Sequence, residues 1–110
     1  MPVPSRPDDP AGEITVALEA LRADAALWRR AAADLRVAAA TGEGQRLDPH
    51  ALSFAGEPVA AAYEALWVKA VGLLRAGAEN LDAVAAALDS SADTYAAEDA
   101  AGAHRLRGVS

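Results

Sequence analysis

Cysteine is absent from this 110-residue chain, which excludes a disulfide framework, a thiolate metal site and a cysteine nucleophile. Aromatics are scarce, at two Trp, two Tyr and one Phe, too few large rings to fill the core of a β-sandwich or a sizeable α/β enzyme. Lysine occurs once, at Lys69, and ten Lys+Arg face 16 Asp+Glu for a net charge of −6. An acidic chain does not hold nucleic acid or an anionic membrane through bulk charge. No run approaches the roughly 18 uninterrupted apolar residues of a bilayer span, so no stable membrane insertion is expected. Four of the six prolines fall within Met1–Pro10, a stretch with no apolar h-region, so a cleaved signal peptide is not expected either.

Alanine takes the place of what is missing. Hydrophobic residues make up 53% of the chain, and 31 residues are alanine, the strongest helix former and the poorest core filler. The expected fold is all-α, with thin apolar seams.

Two long helices account for most of the chain. Residues 1–11 read as a proline-rich disordered arm. Between about 13 and 41 the apolar positions Ile14, Leu18, Leu21, Ala25, Trp28, Ala32, Leu35 and Ala39 recur at 4, 3, 4, 3, a heptad seam with the charges off it. Gly42 and Gly44 read as the helix stop. Glu57-Pro58 reads as a second start, because proline in a first turn lacks only an N–H that is unpaired anyway. From about 58 to 102, Ala60, Tyr63, Trp67, Ala70, Leu74, Gly77, Leu81, Val84, Leu88, Ser91 and Tyr95 recur at 3, 4, 3, 4, flanked early by Val59, Leu66 and Leu73. The connection, 42–57, is apolar enough to form one short helical turn at Asp48-Pro49, tucking Leu52 and Phe54 against the helices. Residues 104–110 read as a flexible basic tail outside a hairpin domain at 12–103.

Such an antiparallel hairpin cannot hide enough surface alone, since its single interface is built largely of alanine. A second copy or a related partner would complete a four-helix bundle. The seam residues Leu21, Trp28, Leu35, Tyr63, Trp67, Leu74, Leu81 and Leu88 are its expected core and dimer positions.

Catalytic chemistry finds little footing. His50 and His104 lack a second ligand at helical spacing, no serine sits in a nucleophile elbow, and no glycine-rich phosphate loop occurs. No catalytic residue, metal or cofactor is assigned. A helical enzyme of the chorismate mutase type would need cations pointing into the bundle to clamp carboxylates; Arg22, Arg29, Arg36, Lys69 and Arg75 lie beside the seams instead. The more informative stretch runs from Glu79 to Asp99, which holds six acids and no Lys or Arg. A solvated acidic face explains it simply. Within it, however, Tyr95 and Asp99 stand one turn apart on one helix face. If the first helix ends its pairing near Leu88, that face overhangs the hairpin and another protein can read it.

These features resemble the actinobacterial type VII (ESX) secretion substrates, and among them the EspC-like proteins of the wider Trp-X-Gly helical-hairpin superfamily. The resemblance rests on Leu21-Arg22-Ala23-Asp24-Ala25-Ala26-Leu27-Trp28, on Ala62-Tyr63-Glu64-Ala65-Leu66, and on Ala92 to Ala101 with its Tyr-x-x-x-Asp pair. It implies a folded helical homodimer or heterodimer, exported without a cleaved signal peptide by a membrane-embedded secretion ATPase. Tyr95 and Asp99 would be the export signal, and Phe54-Ala55-Gly56 stands where the family has its Trp-X-Gly turn. It implies no enzymatic activity. A cytosolic helical adaptor, with Tyr95 and Asp99 as ordinary surface residues, is the alternative.

Overall fold

A computed structural model describes residues 10–109, and those residues are 96% helical with no strand. Helix α1 spans Pro10–Gln45, a short 3₁₀ helix spans Pro49–Ala55, and helix α2 spans Glu57–Val109. The fold is an all-α helical hairpin. Both long helices exceed the sequence expectation. The proline-rich arm falls largely outside the described residues, although Pro10 and Ala11 already belong to α1.

Each long helix contributes a segment to each of two compact units: Met1–Trp28 with Ala83–Ser110, the terminal unit, and Arg29–Asp82, the central unit. In the central unit the helices run antiparallel, since Arg36 pairs with Asp82 while Arg46, further along α1, pairs with Glu64, further back on α2. Asp48 starts the 3₁₀ turn: its Oδ1 accepts the His50 N–H at 2.9 Å and its carbonyl accepts the Ala51 N–H at 2.8 Å. Gly56 then adopts a φ of 96°, which glycine alone takes without a Cβ penalty. Its carbonyl accepts the first capping bond of α2, from the Ala60 N–H.

Alanine forms the core. The buried residues are Ala25, Ala32 and Ala39 on α1 and Val71, Ala78, Ala85 and Ala92 on α2; no polar group and no larger side chain is buried among the described residues. Within each row the spacing is seven, the period of helices that coil about each other. A methyl group at every seventh position lets two backbones approach closely, so each helix presents its smallest residues to its neighbour. On α1 this is the seam expected from the sequence. On α2 the seam is turned by one residue: Ala70 and Ser91 are exposed and Val84 is 38% exposed, where Val71, Ala92 and Ala85 are buried. Leu74, Leu81 and Leu88, together with Tyr63, Trp67, Leu21 and Leu35, lie half-buried along the edges of the alanine line, and Trp28 is more open still.

Three further expectations change. Gly42 is no stop but an interior residue of α1, and a Cβ there would meet Cζ3 of Trp67 at 3.0 Å. Its missing side chain makes room for the indole. The segment from His104 to Val109 is helix, not a flexible tail; Arg107 in the last turn complements the C-terminal dipole. The connection does form its short helix and leaves Leu52 half-buried, but Phe54 is 86% exposed and does not tuck against the hairpin. A seven-residue 3₁₀ helix has three residues per turn, and Leu52 takes its inward direction.

Candidate functional site

Tyr95 and Asp99 both lie on α2 within the terminal unit, and both side chains are exposed. Four residues of α-helix place them about one turn apart on a shared face. Thr94, beside them, donates from Oγ1 to the Ser90 carbonyl at 3.0 Å, a backbone bond that keeps its hydroxyl against its own helix.

The pair does not overhang the hairpin. α1 begins at Pro10, early enough for Arg22 Nη2 to reach Asp93 Oδ1 at 3.1 Å, beyond Leu88. Tyr95 accordingly meets α1. With Ile14, Ala17, Leu18, Ala20, Leu21 and Asp24 it lines an open apolar groove of about 480 Å³. Tyr95 is 59% exposed while also forming part of the groove wall. Asp24 is the one charged group lining this groove.

The turn residues sit in the central unit. Phe54 projects from the end of the 3₁₀ helix and Gly56 makes the left-handed step into α2. Nearby, Tyr63 meets Trp67 edge-on, with ring centroids 6.1 Å apart, and the Tyr63 hydroxyl accepts the Leu47 N–H at 3.1 Å. These two aromatics, expected as seam residues, thus clamp the start of the connection to α2.

A regularity on α2 escaped the sequence reading. Residues two apart on a helix point to nearly opposite sides, about 200° apart. In the pairs Glu64/Leu66, Asp82/Val84 and Asp93/Tyr95 the acid reaches an arginine of α1 while the following apolar residue stays exposed. In the central unit α2 therefore has an ion-paired side at Glu64 and Asp82 and an exposed apolar side at Leu66, whereas in the terminal unit Tyr95, opposite Asp93, still borders the α1 groove. The signal was present as acid–x–apolar spacing, but it has meaning only once the arginine partners are known.

Arg22, Arg36 and Arg46 each pair with a different carboxylate of α2: Asp93, Asp82 and Glu64. No group of three or more metal-ligating side chains occurs among the described residues. No helix among the described residues is long and apolar enough to cross a membrane.

The geometry is that of an all-α helical hairpin with an alanine-lined core. Comparison with protein-family models, with curated proteins and with solved structures found no match.

Proposed function

We propose that this chain is a small helical protein exported by, or working with, a type VII secretion system, and that it acts through helix–helix contacts rather than catalysis. In this reading the protein is folded in the cytoplasm and leaves without a cleaved signal peptide. Tyr95 and Asp99 are the export signal read by the secretion ATPase, and a paired hairpin is the exported form. The observation that carries the reading is the joint exposure of Tyr95 and Asp99, one turn apart on α2. An aromatic anchor beside a charged acceptor, held at fixed spacing on a rigid helix, suits recognition by another protein. Phe54, at 86% exposure beside the Gly56 turn, offers that machine a second aromatic contact.

The test is secretion. The tagged chain should appear in the culture medium of a host with an active type VII system and remain cell-bound when the system's ATPase is removed. Tyr95→Ala and Asp99→Ala should each cut release by about tenfold while intracellular levels hold. Release unchanged in both variants would remove the signal.

The groove favours a second reading. Tyr95 also walls an apolar channel, so its ring could serve packing against a partner helix in a cytosolic adaptor with no export role. Retention of the wild-type chain in cells, together with loss of partner binding in Tyr95→Ala, would support that adaptor.

A further inference from the structure

We infer that the exposed row Val59, Leu66, Leu73 of one copy docks along Ile14, Leu21, Trp28 of a second copy of this chain, with Lys69 set against Asp24. The first row lies on α2 in the central unit, and its members are 47%, 66% and 64% exposed. The second lies on α1 in the terminal unit, where Ile14 and Leu21 line the open groove and Trp28, 40% exposed, continues their line. Neither row is an isolated apolar patch, because each carries one charge at the same place. Lys69 falls three residues after Leu66 and four before Leu73; Asp24 falls three after Leu21 and four before Trp28. Both rows repeat every seven residues. Two helices laid side by side in the same direction therefore bring Val59 to Ile14, Leu66 to Leu21, Lys69 to Asp24 and Leu73 to Trp28 in a single register.

Charge selects the occupant. Lys69 is the chain's only lysine, and among the described residues neither it nor Asp24 has an ion-pair partner in its own chain, whereas Arg22, Arg36 and Arg46 do. Two apolar rows of equal period, with unpaired charges of opposite sign at matching positions, are complementary to each other. A lone polar position in an apolar helix seam fixes register and rejects slipped pairings. Each copy carries one row of each kind, so a second copy supplies the complement of either row. This deepens the paired-hairpin part of the proposed function by naming the partner and the register, and it does not depend on export.

Sedimentation equilibrium on the purified full chain, at micromolar concentration, tests it. The wild type should sediment as a dimer. Lys69→Glu and Asp24→Lys, both on exposed helix positions, should each raise the dimer Kd about tenfold or more. The double reversal should restore it to within a few-fold of wild type, a rescue that a merely unfolded variant would not give. Leu66→Asp should yield monomers. A helical wild-type monomer, a dimer indifferent to Lys69→Glu, a double variant no better than the singles, or assembly only with a different hairpin protein would each overturn the contact. Secretion is measured separately. Loss of release in Tyr95→Ala with an unchanged mass leaves the contact standing, and export of a wild-type monomer leaves the signal standing without it.

Discussion

The two units of this hairpin share a core chemistry and differ in how they are fastened. In the central unit, shape is specific: Gly42 opens a place for Trp67, Tyr63 meets Trp67 edge-on and holds the Leu47 amide, and a Cβ at Gly77 would come within 3.3 Å of Leu35 Cδ1. The terminal unit buries Ala25, Ala85 and Ala92 and pairs Arg22 with Asp93, but no ring pair braces it among the described residues, and its tyrosine walls an open groove. Alanine methyls permit close approach without dictating which side chain sits where. A large side chain facing a glycine, as Trp67 faces Gly42 and Leu35 faces Gly77, dictates it. The lesson is that side-chain fit fixes the register within the central unit, whereas the terminal unit rests on methyl contacts and an ion pair.

Removing one ring from each unit is the strongest way to break that contrast. Trp67→Ala should destabilise the chain by about 2–3 kcal/mol, discounted from the roughly 3–5 kcal/mol of a fully buried tryptophan because the indole is half-exposed. Tyr95→Ala should cost under about 0.5 kcal/mol, as exposed positions do. Urea unfolding followed by circular dichroism, at one fixed protein concentration because association shifts apparent stability, measures both. Equal losses would erase the distinction between the units.

A smaller effect tests what the units have in common. Ala78→Leu in the central unit and Ala85→Leu in the terminal unit should each cost about 2 kcal/mol, since added methylenes at a close helix contact force the backbones apart. If either substitution left the melting temperature unchanged, the alanine line would not be a close contact at that level.

The smallest effect has the opposite sign. Gly72→Ala should stabilise by about 0.5–1 kcal/mol, because nothing lies within 4 Å of the added Cβ and alanine is the better helix former. Gly42→Ala gains the same propensity but drives its methyl into the Trp67 ring, so no net gain should appear. Thermal melts of the two variants side by side would show whether Gly42 is kept for the indole.

Particular residues show how far the sequence could be read. The buried alanines of α1 were legible, because the large residues Ile14, Leu18, Leu21 and Leu35 set one spacing, but Trp28, expected on the same seam, is 40% exposed. On α2, Trp67, Leu74, Leu81 and Leu88 belong equally to two seams, one completed by Ala70, Gly77, Val84 and Ser91, the other by Val71, Ala78, Ala85 and Ala92. Favouring large apolar residues selects the first; close approach of the backbones selects the second. Gly42 looks like a stop in any local reading, for its reason lies on another helix. Tyr95 and Asp99 were legible as a spaced, exposed pair, but the groove beside them was not, since it depends on how far α1 extends.

Composition and periodicity alone determine that this chain is helical, that it has two long segments joined by a short turn at Asp48-Pro49, and that alanine lines the contact. Those properties follow from local propensity and the turn angle of the helix, which act within a few residues of chain. Tertiary structure decided which side of α2 faces inward, which arginine meets which acid, where Trp67 rests and how Tyr95 comes to border α1. Each of these depends on the register between helices, set by side chains far apart in sequence that must fit one another in space.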